Sequence, residues 1–209
     1  MSSDLVGRLL GQFGHPEGAL GHLAGLVMSR RNRGANQLAV DLLEIGERDR
    51  VLDVGCGPGL AVAAALERAP RGFVVGADAS AAMVAQARLR NRAAIRAGRA
   101  AIQLALAADL PLERASVDRA VCVNSLGHWP SAKGGLVEIA RVLRPGGRLV
   151  VGLRRRQDGG GRLDRRRYGA SDERIAELIT LLETTGFRPR RLEEHAIEGE
   201  ATAFLVALR

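Results

Sequence analysis

Nine residues constrain this chain more than any others: Val51-Leu52-Asp53-Val54-Gly55-Cys56-Gly57-Pro58-Gly59, running directly into the alanine-rich stretch Leu60–Ala69. The apolar opening reads as a buried strand, and the three glycines let the main chain turn sharply and leave room for a ligand to lie against it. Pro58 suits a first helical turn, where a missing N–H costs nothing. A helix that opens there turns its unpaired N–H groups toward whatever occupies the loop. A dinucleotide fingerprint would require G-x-G-x-x-G; here the spacing is G-x-G-x-G, and Leu60 stands where the last dinucleotide glycine belongs.

The rest of the chain repeats this rhythm. Short apolar runs at 50–54, 72–77, 101–106, 117–123 and 148–153 alternate with helical stretches at 60–69, 80–97 and 132–143. That alternation predicts a parallel sheet clothed by helices. Arg144-Pro145-Gly146-Gly147 reads as a helix stop and tight turn. A further helix is expected from about Ser171 to Thr185, with Ser171 as its cap and Gly186 at its end. Two extended runs, 187–195 and 201–208, lie close enough to form a hairpin across Glu198–Glu200. Because the first strand begins near residue 50, residues 1–45 read as a helical extension or lid, and 46–209 as the main domain. Within the extension Leu20, Leu23, Ala24 and Val27 keep helical spacing, and Gly14-His15-Pro16 divides it into two helices.

The second strand ends in Val75-Gly76-Ala77-Asp78, which puts a carboxylate at the edge of the neighbouring strand, nineteen residues after Gly59. In doubly wound sheets that position meets the two hydroxyls of a ribose. The alternative is a local one, in which Asp78 caps the helix starting near Ser80. Loop and acid together point to nucleoside binding.

With these motifs in place the chain resembles the S-adenosylmethionine-dependent methyltransferases of the Rossmann-like class, over roughly residues 35–155. Asp53–Gly59 is similar to that family's acidic glycine-rich first motif, and Asp78-Ala79-Ser80 to its ribose-binding acid. Ala107–Leu112 looks like its third-strand exit. Gly127-His128-Trp129-Pro130 and Glu138–Gly147 look like the segment around its fourth and fifth strands, close to the small-molecule ubiquinone/menaquinone type. Phe13-Gly14-His15-Pro16 and Arg30-Arg31-Asn32 resemble a bacterial branch.

The resemblance implies a seven-stranded mixed α/β sheet of order 3-2-1-4-5-7-6, with strand 7 antiparallel and helices on both faces. It implies S-adenosylmethionine as the cofactor. The loop positions Asp53, Gly55, Cys56, Gly57 and Gly59 would seat it, with Asp78 and Ala79 at the ribose. Met83, Leu106 and Ala107 would surround the adenine, and Asn124 would bond the methionine carboxylate or the acceptor. The sequence departs from the family at one point: Leu106 stands where an acid often accepts from the adenine amino group, and Asp109 follows three residues later.

Methyl transfer is an in-line displacement in which the cofactor supplies the reactive carbon and the protein aligns the acceptor. A base is needed only where the acceptor must lose a proton. His128, after strand 4, is the first candidate for that role, and His15 the second if the extension folds over the site. The local readings are a turn residue for His128 and a helix boundary for His15. Asn124 has its own alternative, as a strand cap.

Composition narrows the acceptor. A net charge of +8 invites a nucleic-acid partner, but only Lys133 is a lysine among the 31 basic residues, the signature of biased codon usage. Aromatic residues are 3% of the chain, a poor platform for stacking unpaired bases. In addition, Asn124-Ser125-Leu126-Gly127 replaces the Asn/Asp-Pro-Pro-aromatic run of enzymes that methylate exocyclic amines. The expected partner is a small organic acceptor, methylated at oxygen, carbon or nitrogen.

Residues 154–167 carry seven arginines and read either as a flap attracting an anionic acceptor or as a solvated loop. Two further readings stand beside the enzyme: a nucleoside-binding module without transferase activity, and an RNA methyltransferase using the arginine run. Two scattered cysteines, Cys56 and Cys122, argue against a disulfide framework or a metal site. With no apolar run of membrane-spanning length and no secretory signal, the expected location is the cytoplasm. Oligomeric state stays open, a homodimer included.

Overall fold

In a computed structural model, whose described residues are 32–156 and 169–209, the expected alternation is present almost element by element. The first 31 residues, with His15, lie outside the described part, as does 157–168 of the arginine run. Helix α1 (Arg33–Leu42) leads to β1 (Arg50–Val54), α2 (Leu60–Arg68), β2 (Phe73–Asp78), α3 (Ala81–Arg90), α4 (Arg92–Arg96) and β3 (Ala100–Leu104). Then come β4 (Val117–Val123), a 3-10 turn (Leu126–His128), α5 (Ala132–Val142) and β5 (Leu143–Arg154). Helix α6 (Asp172–Thr184) and the hairpin β6 (Arg188–Ile197) and β7 (Glu200–Leu208) complete it.

The strands form one sheet of order β3-β2-β1-β4-β5-β7-β6, as expected. β1 to β5 pair in parallel, and β7 runs antiparallel to both β5 and β6. Parallel strands buried on both faces need apolar side chains in both directions, which is why Val51-Leu52 and Val121-Cys122-Val123 do not alternate with polar residues. One face packs Leu52, Val54 and Leu149 against Leu136 and Ile139 of α5 and Leu178 and Leu182 of α6. The other packs Val51, Val121 and Val150 against Ala39 and Val40 of α1 and Val62 of α2. Burying each of the larger side chains stabilises the fold by about 1.5–3 kcal/mol.

Hydroxyl caps set several helix starts. Ser80, Ser131 and Ser171 accept from Met83 N–H, Gly134 N–H and Arg174 N–H respectively.

Three boundaries differ from expectation. The helix expected over 80–97 breaks at Asn91, whose buried amide turns back to donate to the Ala87 carbonyl at 2.9 Å and the Gly59 carbonyl at 3.2 Å. β3 stops at Leu104 rather than at 106, so Leu106 belongs to the loop that follows. β5 begins early, because Leu143 pairs with Val117 before Arg144–Gly147 bulge out, and pairing resumes at Arg148 with Arg119.

The two margins of the sheet are guarded. At β3, Arg88 donates from Nε (3.1 Å) and Nη2 (2.8 Å) to the Ile102 carbonyl. At β6, the outer strand carries Arg188, Arg190, Arg191, Glu193 and Glu194. Among the described residues no helix is long and apolar enough to cross a membrane.

Candidate active site

The carboxyl ends of β1, β2, β3 and β4 converge on one cleft, the position at which open α/β sheets place their ligands. It contains about 1050 Å³ of atom-free space, its open mouth included. Gly55–Pro58 and Leu60 form its floor; Asp78, Ala79, Ser80 and Met83 form one wall, and Ala105–Ala107 continue it. Val123–Ser125 and His128–Pro130 stand opposite, and Asn32, just before α1, and Asn36 within it close one side.

The loop after β1 is held by main-chain bonds. Gly55 N–H and Cys56 N–H both donate to the Ala77 carbonyl, at 2.7 and 3.0 Å. Gly57 N–H donates to Asp78 Oδ2 and Ser80 N–H to Asp78 Oδ1, each at 2.8 Å. The helix cap is therefore Ser80 and not Asp78, whose carboxylate ties that cap to the glycine loop and lines the cleft.

Two of the glycines do different jobs. Gly57 has φ +50°, and a Cβ built there would meet nothing within 4 Å, so its bare backbone fronts open cleft. Gly59 has φ +79°, and a Cβ there would lie 2.5 Å from Asn91 Nδ2 and 3.0 Å from Ala87 Cβ. It is a packing glycine that lets the start of α2 approach α3, and it does not line the cleft. Arg90 Nε completes the clamp by donating to the Pro58 carbonyl at 2.8 Å.

Asp53 also lies off the wall. It is 3% exposed beneath the loop, with Oδ2 lacking any partner. Burial pushes its carboxyl up to about 8, with Asp78 adding in the same direction and the Val62 main chain opposing. The Cys56 thiol is held well above its usual range by burial and then by Asp53 and Asp78. Burial likewise raises Cys122. Neither is a ready thiolate.

On the opposite wall Asn124 has φ +54°, and its Oδ1 accepts from Arg154 N–H at 2.8 Å. The strand-cap reading therefore holds, and the residue lines the cleft as well. Ser125 Oγ donates to the Val54 carbonyl at 2.8 Å, joining the ends of β4 and β1. His128 is exposed at the rim. Trp129 lies against Gly135 of α5, where an added Cβ would come within 2.5 Å of its ring.

Met83, Leu106 and Ala107 give the β2–β3 side an apolar surface. Asp109 does not reach this cleft; it opens onto a shallower hollow that shares Ala79, Ala105 and Leu106. Glu138 and Arg141 fix the same loop by bonding the N–H and carbonyl of Leu110, both at 3.0 Å.

Asn32 and Asn36 escaped the sequence reading. Their i, i+4 spacing across the start of α1 is the available signal. Asn36 Nδ2 donates to the Asn32 carbonyl at 2.7 Å, and Asn32 Oδ1 accepts from Arg154 Nη2 at 3.3 Å. Arg154 is itself paired to Glu200 at 2.6 Å. Arg155 pairs with Glu194 at 2.9 Å and also with Asp172. These two arginines of the basic run are therefore engaged within the fold.

Residues 52–151 match a family model described as a methyltransferase domain. A Bacillus subtilis (strain 168) protein named uncharacterized methyltransferase YdaC is 30% identical over 136 residues, 65% of this chain and 72% of that protein. The O-methyltransferase resE of Aspergillus sclerotiorum is 36% identical over 114 residues, 52% of this chain and 43% of that protein. The chain spans only 37 to 43% of the length of several curated relatives that it matches. Among solved structures, an S-adenosylmethionine-dependent methyltransferase from Aquifex aeolicus superposes with a TM-score of 0.71 at 21% identity, covering 86% of this chain and 92% of that one. At that identity the likeness is one of fold.

Proposed function

The chain belongs to the S-adenosylmethionine-dependent methyltransferases, and on that premise we propose that it methylates a hydroxyl oxygen of a small organic acceptor. The oxygen assignment draws on relatives named O-methyltransferases. The observation that carries the site reading is the Asp78 bridge: one carboxylate at the cleft wall holds both Gly57 N–H and Ser80 N–H.

The cleft suits the cofactor in shape and chemistry. Gly57 leaves open the space that a Cβ would fill, Asp78 supplies acceptors for ribose hydroxyls, and Met83, Leu106 and Ala107 offer an apolar bed for adenine. Leu106 brings no carboxylate to the adenine edge, so main-chain groups at 105–107 hold the base. When bound, S-adenosylmethionine supplies an electrophilic methyl carbon on a cationic sulfur.

The remaining tasks fall to this chain's residues. Asn32, Asn36 and Asn124 line the side of the cleft away from the adenine bed and present amides that orient a polar acceptor. A ring nitrogen of His128 takes the proton of the acceptor hydroxyl. Trp129 and Pro130 narrow access of water to that end.

The test is transfer of labelled methyl to a panel of hydroxylated small molecules, with titration calorimetry of S-adenosylmethionine alongside. The expected result is one bound cofactor per chain and label released by treatments that cleave methyl ethers. Label on nitrogen or carbon would overturn the oxygen assignment. Tight cofactor binding with no transfer to any acceptor would favour a binding module.

A further inference from the structure

The side chains of Asn32, Asn36 and Asn124 line the part of the cleft away from the adenine bed. An amide carries an acceptor oxygen and a donor NH2 group, and which of them meets a ligand depends on what the other is tied to. One residue fixes two of the three. Asn32 Oδ1 accepts from Arg154 Nη2 at 3.3 Å, and Asn124 Oδ1 accepts from the Arg154 main-chain N–H at 2.8 Å. A guanidinium and a backbone N–H can only donate, so neither amide can turn over without losing its bond. Among the described residues nothing accepts from the NH2 group of either.

Asn32 forgoes a local bond to do this. It stands at the N-cap of α1, where an Asn oxygen ordinarily accepts from the first helical turn, yet its side chain makes no capping bond. Asn36 Nδ2 donates to the Asn32 main-chain carbonyl at 2.7 Å, which leaves Asn36 Oδ1 as an acceptor on the same wall. The cation behind the wall is already paired, with Arg154 Nε 2.6 Å from Glu200. Asn32, Asn36, Arg154 and Glu200 lie outside residues 52–151, so this wall is built largely by parts of the chain beyond the shared methyltransferase domain.

We propose that Arg154 sets Asn32 and Asn124 as a pair of amide donors for a neutral carbonyl oxygen, and that the methyl acceptor is a hydroxy-carbonyl compound with that oxygen beside the hydroxyl. The proposal rests on the oxygen-methylation reading above. A carbonyl oxygen has two lone pairs and can accept from both NH2 groups. The hydroxyl next to it finds Asn36 Oδ1 as an acceptor while the compound is held. A carboxylate in the same place would meet donors but no unpaired cation on this wall. A compound lacking the oxygen would leave the donors without partners once water is displaced, which a site built on hydrogen bonds penalises steeply.

The experiment measures kcat/KM for methyl ether formation by the full chain with S-adenosylmethionine on matched phenols that carry an acetyl, an ethyl or a carboxylate group beside the hydroxyl. The same series is run on Asn32→Asp and Arg154→Met. Asn32→Asp keeps an oxygen for Arg154 and exchanges the NH2 for a second oxygen, while Arg154→Met leaves both amides in place and frees Asn32 to turn over. Wild type should favour the acetyl compound about tenfold over the ethyl compound, and should favour it over the carboxylate as well. In both variants that preference should shrink severalfold, with a smaller change in S-adenosylmethionine affinity by calorimetry. The effect of the acetyl group on the reactivity of the hydroxyl is the same in all three proteins, so the change in ratio isolates the wall.

Equal kcat/KM for the acetyl and ethyl compounds, or a preference for the carboxylate, overturns the proposal and leaves oxygen methylation standing. A preference that both variants keep overturns it too, because a wall with a merely structural role lowers both rates alike. A loss of cofactor affinity as large as the loss of preference assigns the amides to the methionine end of the cofactor and refutes the acceptor role. No transfer to these phenols while other hydroxyl compounds are methylated sinks the proposal alone; no transfer to any hydroxyl compound removes the oxygen reading with it. The wild-type comparison needs no substitution, which covers an unfolded Asn32→Asp.

Discussion

Asp78 Oδ2 accepts the Gly57 N–H at 2.8 Å, so the end of β2 and the loop after β1 move as one unit. A single side chain thereby shapes the floor of the cleft and supplies its polar wall. Asp78→Ala should weaken S-adenosylmethionine binding at least tenfold in calorimetry. It should also lower the stability of the empty protein by about 1.5–3 kcal/mol, the usual worth of hydrogen bonds to a charged group. Unchanged affinity would remove the ribose assignment, whatever the change in stability.

The glycines at 57 and 59 should respond oppositely to alanine. Gly59→Ala places a methyl against Asn91 and Ala87 at a left-handed backbone position, and should cost about 2–4 kcal/mol of stability. Gly57→Ala meets open space, so denaturation should register only about 1–2 kcal/mol of backbone strain. Its methyl intrudes into the cleft, and cofactor affinity should fall more than stability does.

Arg154 links three parts of the cleft's far side, through Glu200, the Asn32 side chain and, by its main chain, Asn124. Arg154→Met keeps the main-chain bond to Asn124 and removes the other two. Hydrogen exchange should quicken over the first turn of α1, and KM for the acceptor should rise severalfold with a smaller change in cofactor affinity. Unaltered exchange at residues 33–37 would show that α1 is held by its apolar face alone.

Asp53 also predicts how stability depends on pH. Its carboxyl is raised in the folded chain from an ordinary 3.8 to about 8, so between those values the folded state keeps a proton that the unfolded state has lost. The contribution is therefore full below pH 3.8 and is lost as pH rises toward about 8. Glu138 works in the other direction: Arg141 lowers its carboxyl, and its contribution is lost as pH falls below the ordinary 4.5. Denaturant titrations of the empty protein from about pH 5 to 8 should show stability declining in wild type and a shallower decline in Asp53→Asn. Parallel slopes would mean that Asp53 is ionised in the fold.

The sheet was legible because its causes are local. The limits of β1 and β4 follow from apolar runs flanked by polar residues, and the order of strands follows from the alternation of elements together with the family resemblance. The cleft was legible as far as its main-chain motif reached: Gly55, Cys56, Gly57, Asp78, Ala79, Met83, Leu106, Ala107, Asn124 and His128 all line it. What escaped depends on contacts far apart in the chain. Asn91 reaches back 32 residues to Gly59, and Arg154 reaches 122 residues to Asn32. No periodicity announces such bonds. For the same reason Gly59 read as a ligand-facing glycine, although its crowding comes from a helix that begins more than twenty residues later.

The way the sheet ends on either side bears on how copies of this protein meet. At one rim a guanidinium already occupies a carbonyl that an added strand would need, and at the other a fringe of mixed charges would have to be stripped of water before any ladder formed. Self-association by continuing the sheet from molecule to molecule is disfavoured on both flanks. Chains at high concentration should stay clear of fibrillar stacking through these edges.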